Sequence, residues 1–129
     1  MKLIRLAMAA PVLFTLGVAT AITTRAGEPS VLDATAVANP NGTYSISATI
    51  AHGDEGWKHY ADAFEVLDGR GSILATRVLY HPHVDEQPFT RSIADVKVPV
   101  GLTQVTIRAR DSVHGYGKRQ FKLKLPPRR

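Results

Sequence analysis

Apolar and polar residues alternate along most of the chain beyond residue 30, which is typical of strands that turn one face toward a core. In the clearest run, Tyr44, Ile46, Ala48 and Ile50 alternate with serine and threonine. Turn-forming residues such as the Asn39-Pro40-Asn41-Gly42 tetrapeptide separate successive runs. The pattern predicts strands at 31–37, 44–50, 60–67, 73–80, 89–98, 104–110 and 120–125.

Short strands joined by turns predict an all-β fold, a seven-stranded antiparallel immunoglobulin-like β-sandwich. No segment of the chain after residue 26 has helical periodicity, and no internal repeat or low-complexity linker divides it. We therefore expect one sandwich domain over residues 27–129. The proline-rich and arginine-rich segment 126–129 is expected to be a frayed tail.

The first 26 residues have the layout of a secretory signal peptide. Lys2 and Arg5 form a positive start, the run Leu6 to Val18 is apolar, and small residues follow up to Ala26. The apolar run is shorter than the roughly 20 residues of a membrane span, and no cysteine is present to carry a lipid. We therefore expect a periplasmic or secreted protein with no stable membrane anchor after cleavage.

Composition narrows the classes of function further. The formal net charge of +5 includes Lys2, Arg5 and Arg25, which would leave with the signal peptide. An exported chain of nearly balanced charge is a poor candidate for binding nucleic acid. The sequence contains no cysteine, and Met1 and Met8 both lie in the predicted signal peptide. The exported domain is therefore expected to have neither disulfides nor sulfur ligands.

All five histidines fall in three connections between predicted strands, at 52–59, 81–88 and 111–117. Alternate connections of such a sandwich lie at the same end, so these three are expected to converge. Imidazole is a common ligand of copper, zinc and iron. His81 and His83 are two residues apart, so at a strand end they are expected to point to the same side, and Pro82 stiffens the pair. His83 is the weakest candidate, because it could point outward past Pro82. The predicted metal ligands are His52, His59, His81, His83 and His114.

Acidic and aromatic residues of the same connections, and an arginine that shortly follows the second connection, are expected to support these ligands. Carboxylates can accept a hydrogen bond from the second ring nitrogen of a metal-binding histidine, and Asp111 is also a candidate further ligand. The tryptophan either packs in the core or screens the site from water, and the arginine either pairs with an acid or binds a small anion. These supporting residues are Asp111, Asp85, Glu86, Trp57, Tyr116 and Arg91. We predict no catalytic residue.

Two stretches, HGDEGWKHYADAFEVLDGRG and VTIRARDSVHGYGK, resemble the iron domain of the superoxide reductase (desulfoferrodoxin) family. His59-Tyr60 matches the end of the family's histidine loop, and His52 resembles the histidine before it. His114-Gly115 matches the end of the Cys-x-x-His-Gly motif. The resemblance implies a seven-stranded immunoglobulin-like fold and a histidine-bound iron. The family's cysteine falls on Asp111, so the resemblance supports the fold and a histidine site more than the activity.

The stretch HPHVDEQPFTRS is also similar to sequences of small exported bacterial proteins. Together these features predict an exported transition-metal-binding protein that carries copper, iron or zinc or has an accessory role in redox chemistry. A periplasmic protein is a candidate partner. One alternative is a module that binds a protein or an anion without metal. Another is a superoxide-reductase-like iron enzyme.

Overall fold

The computed structural model describes residues 27–129, and the predicted signal peptide lies outside the described residues. Every regular element in this range is a β-strand, as the alternating pattern predicts. The strands are β1 (Ser30–Ala38), β2 (Tyr44–Ala51), β3 (Ala61–Leu67), β4 (Ile73–Val78), β5 (Phe89–Val96), β6 (Gln104–Asp111), β7 (Gly115–Tyr116) and β8 (Phe121–Lys124).

The strands form two antiparallel sheets. One sheet has the order β1-β2-β5, and the other has the order β4-β3-β6, with β7 and β8 both paired to β6. The predicted all-β antiparallel sandwich is therefore confirmed. The described residues contain eight strands instead of seven, because the short β7 forms within the last predicted connection.

The core lies between the two sheets and is built from the apolar members of the alternating runs. Ile46 and Ile50 of β2 and Phe89 of β5 meet Phe64 of β3, and each is at most 1% exposed. Burial of one such side chain contributes about 1.5–3 kcal/mol. This core holds the ends of the strands, and therefore the connections that follow them, in fixed positions.

Three connections meet at one end of the sandwich, as predicted, and we call this end the loop end. It consists of residues 52–60, 79–88 and 112–114. Ala61 at the start of β3 pairs with Asp111 at the end of β6, and the Ser112 amide donates to the Tyr60 carbonyl at 3.0 Å. The His83 amide donates to Asp54 Oδ2 at 2.7 Å, which ties the middle connection to the first.

The opposite end is closed by the last residues of the chain. The guanidinium group of Arg128 donates to the carbonyls of Gly42 and Val98, and the Tyr44 hydroxyl donates to the Pro126 carbonyl at 2.7 Å. The prediction of a frayed tail is therefore wrong. Pro126 and Pro127 have no backbone N–H groups that need an acceptor. The segment therefore packs through a backbone carbonyl and the Arg128 side chain.

Candidate metal centre

Asp111 lies at the centre of the histidine cluster, with a fully buried side chain. Its Oδ2 atom is 3.0 Å from His52 Nε2, 3.0 Å from His59 Nε2 and 2.9 Å from His114 Nδ1. The sequence predicted Asp111 mainly as a supporting residue. The structure instead makes its carboxylate the point on which three imidazole rings converge.

The position of Asp111 follows from the turn that begins where β6 ends. Its Oδ1 atom accepts the backbone N–H groups of Val113, at 3.0 Å, and of His114. Aspartate commonly stabilises turns in this way. Because one oxygen is occupied by the main chain, the other is held in place to face the imidazoles.

The hydrogen bonds also determine the charge of this carboxylate. Burial by itself raises the pKa of Asp111, but hydrogen bonds from the His114 and His59 side chains and from the His114 and Val113 amides lower it. The net result is a pKa well below the usual range. Asp111 is therefore an ionised carboxylate at neutral pH, which is the form that binds metal ions.

His52 is held by a second buried carboxylate, that of Asp54, which is not among the residues predicted for the site. Asp54 Oδ1 lies 2.5 Å from His52 Nδ1, and both side chains are fully buried. The same carboxylate accepts the backbone N–H groups of Ala61 and His83, at 3.0 and 2.7 Å. The only signal of this role in the sequence is that Asp54 follows His52 by two residues.

The contact with Asp54 assigns the tautomer of His52. An ionised carboxylate only accepts hydrogen bonds, so His52 Nδ1 carries a proton. The Nε2 atom of a neutral ring then turns its lone pair toward Asp111 Oδ2. Two lone pairs 3.0 Å apart repel each other unless a proton or a metal ion lies between them. A proton or a metal ion at this point would satisfy both atoms.

His59 and His114 complete the cluster from two different connections. The ring centres of His52 and His59 are 4.8 Å apart, and those of His59 and His114 are 4.9 Å apart. The ligand atoms of His52, His59 and Asp111 all lie within 4.8 Å of one another, so this buried group could hold a metal ion. His114 brings a third imidazole nitrogen to the same carboxylate oxygen.

The structure does not bring His81 or His83 to Asp111. The His83 ring is buried and stacks on Phe89 at a centroid distance of 4.1 Å, while Arg91 donates to its Nε2 atom at 3.0 Å. Burial lowers the pKa of His83, and the nearby Arg91 and His81 lower it further. His81 is exposed and contacts the carbonyl of Pro82.

His83, the weakest candidate, thus points inward, whereas His81 is the exposed member of the pair. The reason is tertiary: Asp54 binds the His83 amide, and Phe89 offers its ring a flat apolar face. Gln87 adds a further link that the sequence did not signal. It accepts the His52 amide at 3.0 Å and donates to the His83 carbonyl at 2.9 Å.

The remaining charged residues of the connection 79–88, and Arg91 of the following strand β5, lie near the surface. Arg91 pairs with Glu86, with 3.1 Å between Nη1 and Oε1. Of the two roles expected for this arginine, the structure therefore has the pairing with an acid. The hydrogen bond from Arg91 lowers the pKa of Glu86. Asp85 is exposed and lines an open pocket together with Trp57 and His81. None of these side chains contacts Asp111.

The two aromatic supporting residues also lie outside the cluster. Trp57 is 69% exposed and packs edge-to-face against Tyr60. The expectation that this tryptophan packs in the core is therefore wrong. Tyr116 lies on the outer face of its sheet, with its ring centre 3.7 Å from the guanidinium carbon of Arg108. A hydrogen bond to Glu65 raises the pKa of Tyr116, and burial adds to this effect.

The protein is thus a β-sandwich that holds an ionised carboxylate among three histidines at one end. Over 90 residues the chain is 39% identical to a protein of Halomicrobium mukohataei named "Putative lipoprotein". The match covers 70% of this chain and 44% of that relative, so the chain spans less than half of the relative's length. No family model matches the chain, and no solved structure matches it.

Proposed function

We propose that the protein binds one transition-metal ion at the loop end. His52 Nε2, His59 Nε2 and Asp111 Oδ2 would be the buried ligands, and His114 Nδ1 would be the fourth donor. The observation that carries this proposal is the convergence of three imidazole nitrogens on one ionised, fully buried oxygen.

Electrostatics favour a cation at this point. A buried carboxylate without a compensating charge is costly, and a divalent ion supplies more positive charge than a shared proton. The second heteroatoms of His52 and Asp111 are already occupied by Asp54 and by the turn amides. Such supporting contacts orient metal ligands and raise the affinity of the site.

The donor set supports copper(II), zinc or iron as the bound metal. Three imidazoles and one carboxylate are ligands that these ions accept, whereas copper(I) prefers sulfur donors. The chain contains no cysteine, and in its resemblance to the superoxide reductase family Asp111 falls at the position of that family's cysteine. The thiolate expected to drive superoxide reduction is therefore missing. Metal carriage, or an accessory role in redox chemistry, fits these ligands better than that enzyme activity does.

The relative's name and the first residues of the chain support export. The Halomicrobium mukohataei protein is named as a lipoprotein, and residues 1–26 have the signal-peptide pattern. We therefore propose a periplasmic or secreted location, with residues 27–129 as the functional domain. The sequence has no cysteine to which lipid could be attached. Among the described residues, the structure contains no helix long and apolar enough to cross the bilayer.

A second candidate function is supported by exposed aromatic residues at the same end. Trp57 is 69% exposed and Tyr80 is 76% exposed. Tryptophan and tyrosine are enriched at the centres of protein interfaces. The loop end could therefore bind a partner protein without metal, and the histidine cluster would then act only to hold the connections together.

Metal binding to the purified, metal-stripped protein distinguishes these two functions. Zinc, copper(II) and ferrous iron are titrated separately by calorimetry, and thermal unfolding is followed with and without a chelator. We expect one equivalent of at least one metal to bind and to raise the unfolding temperature. The His59→Ala and Asp111→Asn variants should lose this binding. The matched control His81→Ala should keep it, because His81 is exposed and outside the cluster.

Absence of binding for all three metals would contradict the proposal and favour the partner-binding module. Binding that survives in His59→Ala and Asp111→Asn would show that the metal is held elsewhere. Far-UV circular dichroism of each variant separates loss of ligands from loss of the fold.

A further inference from the structure

We infer that the His114 position is a ligand-exchange position, through which the metal enters and leaves the site. This inference rests on the proposed metal-binding function. Exchange at this position means that a nitrogen donor from outside the protein, such as an imidazole, can take the place of His114. The other three ligands would keep hold of the ion during this step.

The four proposed ligands differ sharply in exposure. The side chains of His52 and Asp111 are 0% exposed and that of His59 is 11% exposed, whereas that of His114 is 41% exposed. An incoming ligand has to reach the metal from solvent. The side of the site that carries His114 is therefore the open one.

The ligands also differ in what holds them when metal is bound. His52 is anchored by Asp54, and Asp111 is anchored by two backbone amides. Within residues 27–129, the only side-chain hydrogen bond of His114 is the one from its ring to Asp111 Oδ2. A metal ion between these two groups would replace that bond. The His114 ring would then be held by the metal alone.

The backbone allows the ring to move while the turn stays in place. The His114 amide is fixed by Asp111 Oδ1, and Gly115, which follows, adopts a positive φ of 78° that suits glycine. Side-chain rotation is thus sufficient to withdraw the ring, and the main chain does not have to rearrange. Exposed side chains rotate within nanoseconds or faster, so this movement does not limit exchange.

The exchange step is a simple ligand substitution. A nitrogen lone pair of the incoming donor forms a bond to the metal as the bond from His114 Nδ1 breaks, and the metal keeps its oxidation state. Both the entering and the leaving ligand are neutral, so the charge of the site is unchanged. A protein that carries metal to an acceptor requires a position of this kind.

Metal transfer to a chromogenic chelator tests the inference. The zinc-loaded full chain is mixed with the chelator, and the transfer rate is measured for the wild type and for His114→Gly, His59→Gly and His81→Gly. We expect His114→Gly to release zinc at least about tenfold faster than the wild type. Loss of a group that only hydrogen-bonds to a metal ligand already costs about 10–100-fold in metal affinity, and the loss of a ligand should have at least as large an effect. His81→Gly, the exposed control, should match the wild type.

Added imidazole provides the specific readout. In His114→Gly it should restore slow release, because the vacated position opens to solvent. In His59→Gly it should have little effect, because that position is enclosed. Equal rescue of both variants, or unchanged release from His114→Gly, would overturn the inference.

The wild type supplies a measurement that does not depend on how well a variant folds. Its transfer rate should rise with chelator concentration, because the chelator enters the coordination sphere before zinc leaves. A rate independent of chelator concentration would contradict exchange at an open position. A wild type that retains no zinc, copper or iron would overturn the proposed function itself, which separates the two failures.

Discussion

The Oδ1 atom of Asp54 lies 2.5 Å from Nδ1 of His52, and both side chains are completely buried. This contact assigns the proton of the ring to Nδ1 and leaves Nε2 facing Asp111. Asp54 also accepts the amides of Ala61 and His83, so it ties the connection that carries His52 to the start of β3 and to the connection that carries His83. In the proposed site Asp54 would position His52 and would not itself contact the metal.

The Asp54→Asn variant tests this positioning role. The new amide group would place a donor opposite one of the three N–H groups that Asp54 accepts. We expect the affinity for metal to fall by about 10–100-fold. We also expect a loss of about 1–3 kcal/mol in the free energy of unfolding of the metal-free protein. Calorimetry and urea denaturation measure the two effects, and the exposed Asp85→Asn is the control. Unchanged affinity would show that Asp54 has only a structural role.

Trp57 and Phe89 should respond very differently to truncation. Trp57→Ala is expected to change the free energy of unfolding by less than about 0.5 kcal/mol, because the side chain is 69% exposed. Phe89→Ala removes a side chain that is 1% exposed and should cost about 3–5 kcal/mol. Urea denaturation followed by circular dichroism compares the two variants. A large cost for Trp57→Ala would mean that this side chain packs in the core.

The C-terminal segment should contribute to stability through Arg128. Replacing Arg128 by alanine removes donors to the carbonyls of Gly42 and Val98 and a guanidinium 5.5 Å from the ring centre of Tyr44. We expect the free energy of unfolding to fall by about 1–2 kcal/mol. Arg129→Ala, the neighbouring exposed control, should have little effect. Equal stability of both variants and the wild type would indicate that the segment is not docked.

The phenol of Tyr116 should titrate at higher pH than an ordinary tyrosine. Its pKa is raised above the ordinary tyrosine value of 10.0 by a hydrogen bond to Glu65 and by burial. Because the folded state holds this proton more tightly, the stabilising contribution is complete below about pH 10 and is lost as the pH rises through the raised pKa. The difference in ultraviolet absorbance between the wild type and Tyr116→Phe isolates this group.

Glu65→Gln provides the matched test of the cause. Without the carboxylate the midpoint of the Tyr116 titration should move down toward 10.0. An unshifted midpoint would show that Glu65 does not control this phenol. Neither substitution touches the histidine cluster, so metal binding should be preserved in both.

The period-two alternation was sufficient to predict the strands, because the side chains of a strand point alternately to its two faces. The run Tyr44 to Ile50 forms β2, and the apolar runs around Phe64 and Phe89 form the core. The grouping of the histidines in three connections also predicted that they would meet at one end. Both features follow from local spacing and from the order of strands in a sandwich.

Only the tertiary structure decided which atoms meet at the loop end. Asp111 reaches His52 across 59 residues because β3 and β6 pair in the register that places Ala61 opposite Asp111. His83 turns inward because Asp54 holds its amide from a different connection. Such contacts depend on how the two sheets pack and on which rotamers the loop side chains adopt. Neither can be predicted from the spacing of residues along the chain. The sequence therefore determined the sandwich and the end at which the histidines gather, and the packing of the sheets determined which of their side chains meet Asp111.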